Sequence, residues 1–314
     1  MAHDIILHHF DESPFSEKIR LAFGIKGLTW TSVRISRIMP RPDLMPLTGG
    51  YRRTPVLQIG ADIFCDTAVI LREIERRFPT PTLLPGGQGG MPWAMALWTD
   101  RAFFQSTVNL VFGTLGDRVP QSFVEDRSLL RGARFDVAAM GAAAPQMRDQ
   151  FRAFLAWIAA DLEDGRPYLL GSSVSLADIS AYMCPWYTRS NLTPSDRDAA
   201  GLTSIFAEFP AVTAWEARIT AIGHGTRREI ATAEALAIAK AAEPTTPVAA
   251  DRHDANGLRP GDRVTVTPDD YGKVGVSGEI VSLSAQHIAL RREDPVAGAV
   301  VVHFPRVGFH VTQA

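Results

Sequence analysis

Ser13-Pro14-Phe15-Ser16 follows a short apolar run and opens a segment with helical spacing. A helix start offers unpaired N–H groups and a positive partial charge, so an anion there is stabilised. A thiol bound at that point ionises more readily, and a serine hydroxyl can donate a hydrogen bond to the resulting thiolate. With serine at both ends of the motif, thiol–disulfide exchange by its own residues is chemically excluded. Arg53-Thr54-Pro55 leads into a second apolar run. A cis proline there turns the preceding backbone outward, where the N–H and C=O of Thr54 can pair with an extended peptide. Asp66-Thr67 stands at the next helix start, a place where N–H groups and a hydroxyl receive a carboxylate.

The elements that must position these residues are legible around them. Ile5-Ile6-Leu7 reads as a buried strand, and Ser13 to Gly24 as a helix with Ile19, Ala22 and Phe23 on one face. Trp30 to Ile35 reads as a second strand. Pro55–Ile59 and Ile63–Cys65 flank Gly60-Ala61-Asp62 and read as a hairpin. A third helix runs from Asp66 or Thr67 to Phe78, with Ile70, Leu71 and Ile74 inward. The order is β-α-β, a long connection, then β-β-α.

This 80-residue segment resembles the thioredoxin-like N-terminal domain of the cytosolic glutathione transferases, most closely the serine-type (tau-like) classes, with some omega-like character in the motif. The resemblance implies that Ser13 activates the glutathione sulfur. It implies that Thr54 and Pro55 hold the cysteinyl backbone and that Arg53 meets the glycine carboxylate. Asp66-Thr67 stands where the family carries Glu-Ser for the γ-glutamyl end, and Asp66 is one methylene shorter than that glutamate. The family's helical second domain carries a Ser/Thr-x-x-Asp capping box, matched here by Ser175-Leu176-Ala177-Asp178. Glutathione as co-substrate, a small electrophile as second substrate, and a homodimer are further implications of the resemblance.

The remaining chain divides by composition. Residues 79–92 are rich in Pro and Gly, and from there to about residue 243 nothing alternates like a strand. Helical stretches are Trp93–Phe112, Gln146–Leu162, Ser175–Trp186, Phe206–Ile222 and Arg228–Ala242, with 113–144 partly loop. Beyond a second linker, several short alternating segments suggest a small SH3-like β-barrel. The expected organisation is a thioredoxin-like glutathione-binding domain at 1–80, an all-helical domain at 81–243, a linker at 244–257 and a small β-barrel at 258–314.

With 314 residues, 46% hydrophobic content and a formal net charge of −2, a wholly disordered chain is excluded and the charge balance does not point to a bulk polyanion binder. The last 64 residues carry seven Lys/Arg against eight Asp/Glu, so no nucleic-acid partner is expected. The barrel reads instead as a protein-interaction or docking module. Two cysteines make no disulfide framework, no secretory leader or membrane span is legible, and the expectation is a cytoplasmic protein without membrane contact. Ser16 reads as a solvated first-turn residue, Cys65 and Cys184 as buried hydrophobes, and His8 and His9 as packed rather than catalytic. The four histidines of the last 64 residues do not form a legible ligand set, and no metal is expected.

The expected activity is a glutathione transferase, conjugating or transferring the thiol to a small electrophile. Two rivals share the same residues: a non-catalytic scaffold acting through the barrel, and a lyase or isomerase using glutathione as cofactor.

Overall fold

The apolar run before the first motif forms β1 (Ile6–His9), and its alternation divides the molecule into two cores. Leu7 points into one and Ile6 into the other. The same split recurs on β3 (Val56–Ile59) and β4 (Asp62–Cys65): Leu57 and Phe64 face one side, Val56, Ile63 and Cys65 the other. The computed structural model describes residues 4–87 and 89–313.

Between β1 and β3 lie α1 (Pro14–Ile25), β2 (Thr29–Arg34) and the short α2 (Met45–Thr48). β1 pairs parallel with β2 and antiparallel with β3, which pairs antiparallel with β4. α3 (Thr67–Arg77) follows and, with α1, covers the face bearing Leu7, Leu57 and Phe64.

The helical region begins with α4 (Met91–Trp98), which continues into α5 (Phe104–Leu115) through a π-turn at Thr99–Phe103. Residues 113–144, expected to be partly loop, contain α6 (Gln121–Arg131) and α7 (Val137–Ala142). Then come α8 (Ala144–Asp161), α9 (Leu176–Asn191), α10 (Pro194–Ala199), α11 (Leu202–Glu208) and α12 (Pro210–Thr220). Phe206–Ile222 is therefore two helices, parted at Phe209-Pro210. The Ser175 capping box is formed. Asp178 accepts from Ser175 N–H at 2.9 Å, and also from Leu169 N–H at 2.8 Å and Trp215 Nε1 at 2.9 Å. A fully buried carboxylate with that many donors is a satisfied structural anchor.

One expectation fails at 226–229. Thr226–Glu229 is a strand, β5, paired parallel with β2 at the sheet edge; only α13 (Thr232–Ala241) is helical in the predicted 228–242 stretch. Gly225, with φ +70°, brings the chain so close to Leu28 that a Cβ there would lie 2.3 Å from its carbonyl oxygen. Thr226 N–H then donates to that oxygen at 2.8 Å. An edge strand of exposed Thr-Arg-Arg-Glu has no apolar alternation to announce it.

The C-terminal strands are β6 (Arg263–Pro268), β7 (Val276–Ser284), β8 (His287–Asp294), β9 (Gly298–Pro305) and β10 (Phe309–Gln313). They run antiparallel in the order β10-β6-β7-β8-β9, a barrel-like sheet around Val264, Val276, Leu290, Val302 and Phe304. This sheet is not tethered loosely. β9 pairs in parallel with β4 from Asp62↔Val301 to Phe64↔His303, joining both sheets into one of ten strands. Residues of the expected linker are bound too: Thr245 and Thr246 both donate to the Asp62 carboxylate.

Candidate functional site

α1 begins at Ser13, whose Oγ accepts from Ser16 N–H at 3.2 Å, while Pro14 occupies the first helical position. Ser13 is buried but lines a cavity of about 440 Å³ between the sheet and the helices. Ser16, expected in solvent, is fully buried, and its hydroxyl has no partner among the described residues. The helix turns it inward, because position 16 lies on the same face as Ile19 and Phe23.

The Thr54–Pro55 peptide is cis. Thr54 lies outside β3, and no turn bond among the described residues uses its N–H or carbonyl. Its hydroxyl is held by Arg41 at 3.1 Å.

Asp66 caps α3, accepting from Ala68 N–H at 2.8 Å. Its φ of +97° is the one positive value outside glycine among the described residues. Such a conformation costs on the order of 1–3 kcal/mol and persists only where the surroundings enforce it. Burial pushes the Asp66 carboxyl up to about 6, against the Ala68 N–H, which acts in the opposite direction. Thr67 is buried beside it, and both line a second cavity of about 500 Å³ with Pro55 and Lys18.

Arg53 and Thr54 line both cavities, so the six expected residues converge on one cleft. That cleft is divided by a segment the sequence did not associate with it. The β6–β7 loop brings Asp270 and Tyr271 between the two cavities. Arg53 pairs with the Asp270 carboxylate and lies over the Tyr271 ring, 4.0 Å from its centroid. The loop is tied to the helical region as well: Gly272 N–H donates to Leu130 O at 2.7 Å, and Arg101 pairs with Asp269 at 2.6 Å.

Three further residues at the cleft went unread. Lys18, fully buried, forms an ion pair with Asp100. Asp100 and Arg101 reach the cleft from the π-turn, which re-aims side chains by inserting one extra residue per turn. No local signal marks that turn.

His8 and His9 are packed. His8 Nε2 bonds Gln58 at 2.8 Å and His9 Nε2 bonds Ser32 Oγ at 2.9 Å. Burial pushes them down to about 4 and about 3. Cys65 and Cys184 are both free and buried.

A four-stranded α/β unit with a cis-proline strand and two helix starts facing a helical unit is a glutathione-transferase-type architecture. Residues 7–82 match the family model for the glutathione S-transferase N-terminal domain, and residues 141–218 match that for the C-terminal domain. A solved GST-like protein from Pseudomonas syringae is 35% identical, with a TM-score of 0.81 over 99% of this chain and 100% of that one. The chain belongs to the glutathione S-transferase family, with an additional C-terminal sheet. FtsZ-localized protein A from Caulobacter vibrioides is 28% identical over 180 residues, 56% of this chain and 73% of that protein. Glutathione S-transferase U4 from Arabidopsis thaliana is 30% identical over 95 residues, 30% of this chain and 42% of its own length. Among the described residues no helix is long and apolar enough to cross a membrane.

Proposed function

We propose that this protein is a glutathione transferase that activates the glutathione thiol at Ser13 and couples it to a small electrophile. The observation that carries the reading is the hydrogen bonding of Ser13. Its Oγ accepts from Ser16 N–H, so its own proton remains to be donated toward a sulfur in the adjoining cavity. Thr54 offers its free backbone to the cysteinyl unit, Arg53 the glycine carboxylate site, and Asp66 with Thr67 the γ-glutamyl end. The helix start and Ser13 hold the sulfur as thiolate, the nucleophilic form. The thiol proton passes to solvent. The sulfur–carbon bond forms as the leaving group departs with its bonding pair. Holding both reactants in one cleft supplies the orientation. No metal is required for this chemistry.

The reading places the protein in the cytoplasm as a homodimer, in keeping with its family. The β4 edge is already taken by β9, so two copies would meet elsewhere.

A second reading is an interaction protein that acts through its C-terminal sheet and performs no chemistry. The occupation of Arg53 by Asp270 favours it, as does the similarity to a protein named for localising with FtsZ. Calorimetric titration with reduced glutathione separates the two. Binding that weakens in Thr67→Ala supports the transferase. Absence of binding in both the wild type and Asp270→Ala transfers the function to the C-terminal sheet.

A further inference from the structure

The cavity beside Ser13 is lined by apolar rings and by an excess of cationic side chains. Seven arginines but only three acidic residues face it, so it carries a positive field. Two of these charges, Arg41 and Arg131, have no carboxylate partner among the described residues, whereas Arg37 pairs with Glu12 at 3.7 Å, Arg53 with Asp270 and Arg101 with Asp269. Arg41, 6% exposed, donates to the carbonyls of Ser36, Arg37 and Arg52 and pairs with no carboxylate among the described residues. Burial, together with Arg127 and Arg52 nearby, pushes its pKa down to about 10. Arg52 and Arg127 share the single carboxylate of Asp126. Arg131 has no carboxylate partner among the described residues and lies over the Phe135 ring at 5.6 Å. Arg37 and Arg127 both lie over the Phe123 ring, at 5.4 and 4.3 Å.

The apolar component is equally organised. Phe112 stacks on Phe123 at 5.4 Å and meets Phe135 edge-on at 5.0 Å, while Phe104 packs against Tyr187 at 6.0 Å. Aromatic rings with a guanidinium rim suit a flat apolar body that ends in an anion.

We propose that this cavity takes a small aromatic or conjugated carboxylate as the electrophilic co-substrate, its ring among Phe104, Phe112 and Phe123 and its carboxylate on Arg37, Arg127 and Arg131. The assignment of a co-substrate rests on the transferase reading; the binding of the carboxylate does not. Glutathione also carries carboxylates, so the test must separate the two ligands.

The full-length protein is titrated with trans-cinnamate and with its neutral isostere trans-cinnamamide, each without glutathione and with glutathione at saturation. Cinnamate is expected to bind about tenfold more tightly than the amide and to keep its affinity with glutathione present. Arg131→Gln and Arg37→Gln, both at partly exposed positions, are each expected to weaken cinnamate about fivefold and leave the amide unchanged; Arg131→Lys restores part of the loss. Equal affinities for acid and amide overturn the proposal. So does displacement of cinnamate by glutathione, which would assign the arginines to the tripeptide. Failure of glutathione itself to bind, with cinnamate still bound, overturns the transferase reading and leaves the carboxylate site standing.

Discussion

The Arg53 guanidinium lies 4.0 Å from the centroid of the Tyr271 ring and pairs with the neighbouring Asp270 carboxylate. Arg53 immediately precedes the cis-proline strand, and Tyr271 belongs to a loop of the C-terminal sheet, more than 200 positions away in sequence. The loop therefore presents an acidic group to the side chain proposed to receive the tripeptide's glycine carboxylate. Asp270→Ala frees that cation. An ion pair of this partial exposure is worth up to about 1 kcal/mol, so glutathione should bind up to about fivefold more tightly in the variant, by calorimetry. Weaker binding would show that the loop builds the site instead of competing for it.

Ser13→Ala removes both a helix cap and the proposed thiolate donor. Loss of the cap should cost about 1 kcal/mol in chemical denaturation. Turnover with a chloronitrobenzene electrophile should fall about 10- to 100-fold while the glutathione Kd changes little. The thiolate's ultraviolet absorbance should titrate at higher pH in the variant. Unchanged turnover would remove Ser13 from the chemistry.

Asp66 sets a pH dependence of binding. Burial raises its pKa from the ordinary 3.8 to about 6. Above that value it is a carboxylate able to meet the γ-glutamyl ammonium, and below it the attraction is lost. Glutathione affinity should fall several-fold as pH drops from about 7.5 to about 5, and Asp66→Asn should flatten the profile. For stability the sign is opposite. A raised carboxylate pKa favours the neutral form in the fold, so Asp66's contribution diminishes as pH rises from 3.8 through about 6.

Buried histidines should set the acid limit of the fold. His8 is lowered to about 4 and His9 to about 3, chiefly by burial. Each is held neutral, so its stabilising effect is present above the ordinary 6.5 and is lost as pH falls from there toward 3–4. The loss at pH 5 should reach roughly 2 kcal/mol for each residue, read from urea midpoints at pH 7 and pH 5. A flat midpoint across that interval would contradict the burial assigned to these rings.

Asp62 fastens the two sheets. Its carboxylate accepts from Thr245 N–H at 2.8 Å and from the Thr245 and Thr246 hydroxyls, each at 2.6 Å, and pairs with His303 at 3.4 Å. Asp62→Ala removes charge-assisted hydrogen bonds to the exposed Thr245, the half-buried Thr246 and the buried His303, and should destabilise by about 2 kcal/mol. Hydrogen exchange should rise first in β9 and along residues 244–249, with β1 and β2 still protected. Uniform loss of protection would mean that the sheets unfold as one unit.

Much of this was legible locally. Short apolar runs at Ile5-Ile6-Leu7 and Val56-Leu57 mark strands with both faces buried. Ser13-Pro14 and Ser175-x-x-Asp178 mark helix starts, because a cap satisfies the backbone N–H groups of its own first turn. The chain from 226 to 229 was misread because an exposed edge strand is defined by its pairing with β2 and not by its own pattern. Ser16 was misplaced because a polar residue's burial depends on what packs over it, and its type does not reveal that.

By itself, the sequence determined the thioredoxin-like unit, the helical unit and the C-terminal strands, each set by contacts within a few positions, through period, turn and cap. The six candidate residues Ser13, Arg53, Thr54, Pro55, Asp66 and Thr67 were proposed from the resemblance to the family. Tertiary structure alone decided that β9 continues the sheet from β4, that Tyr271 lies over Arg53, and that Arg37 reaches the ring of Phe123. Those relationships join residues tens to hundreds of positions apart. No periodicity connects them; only the closure of two cores on opposite faces of one sheet brings them together.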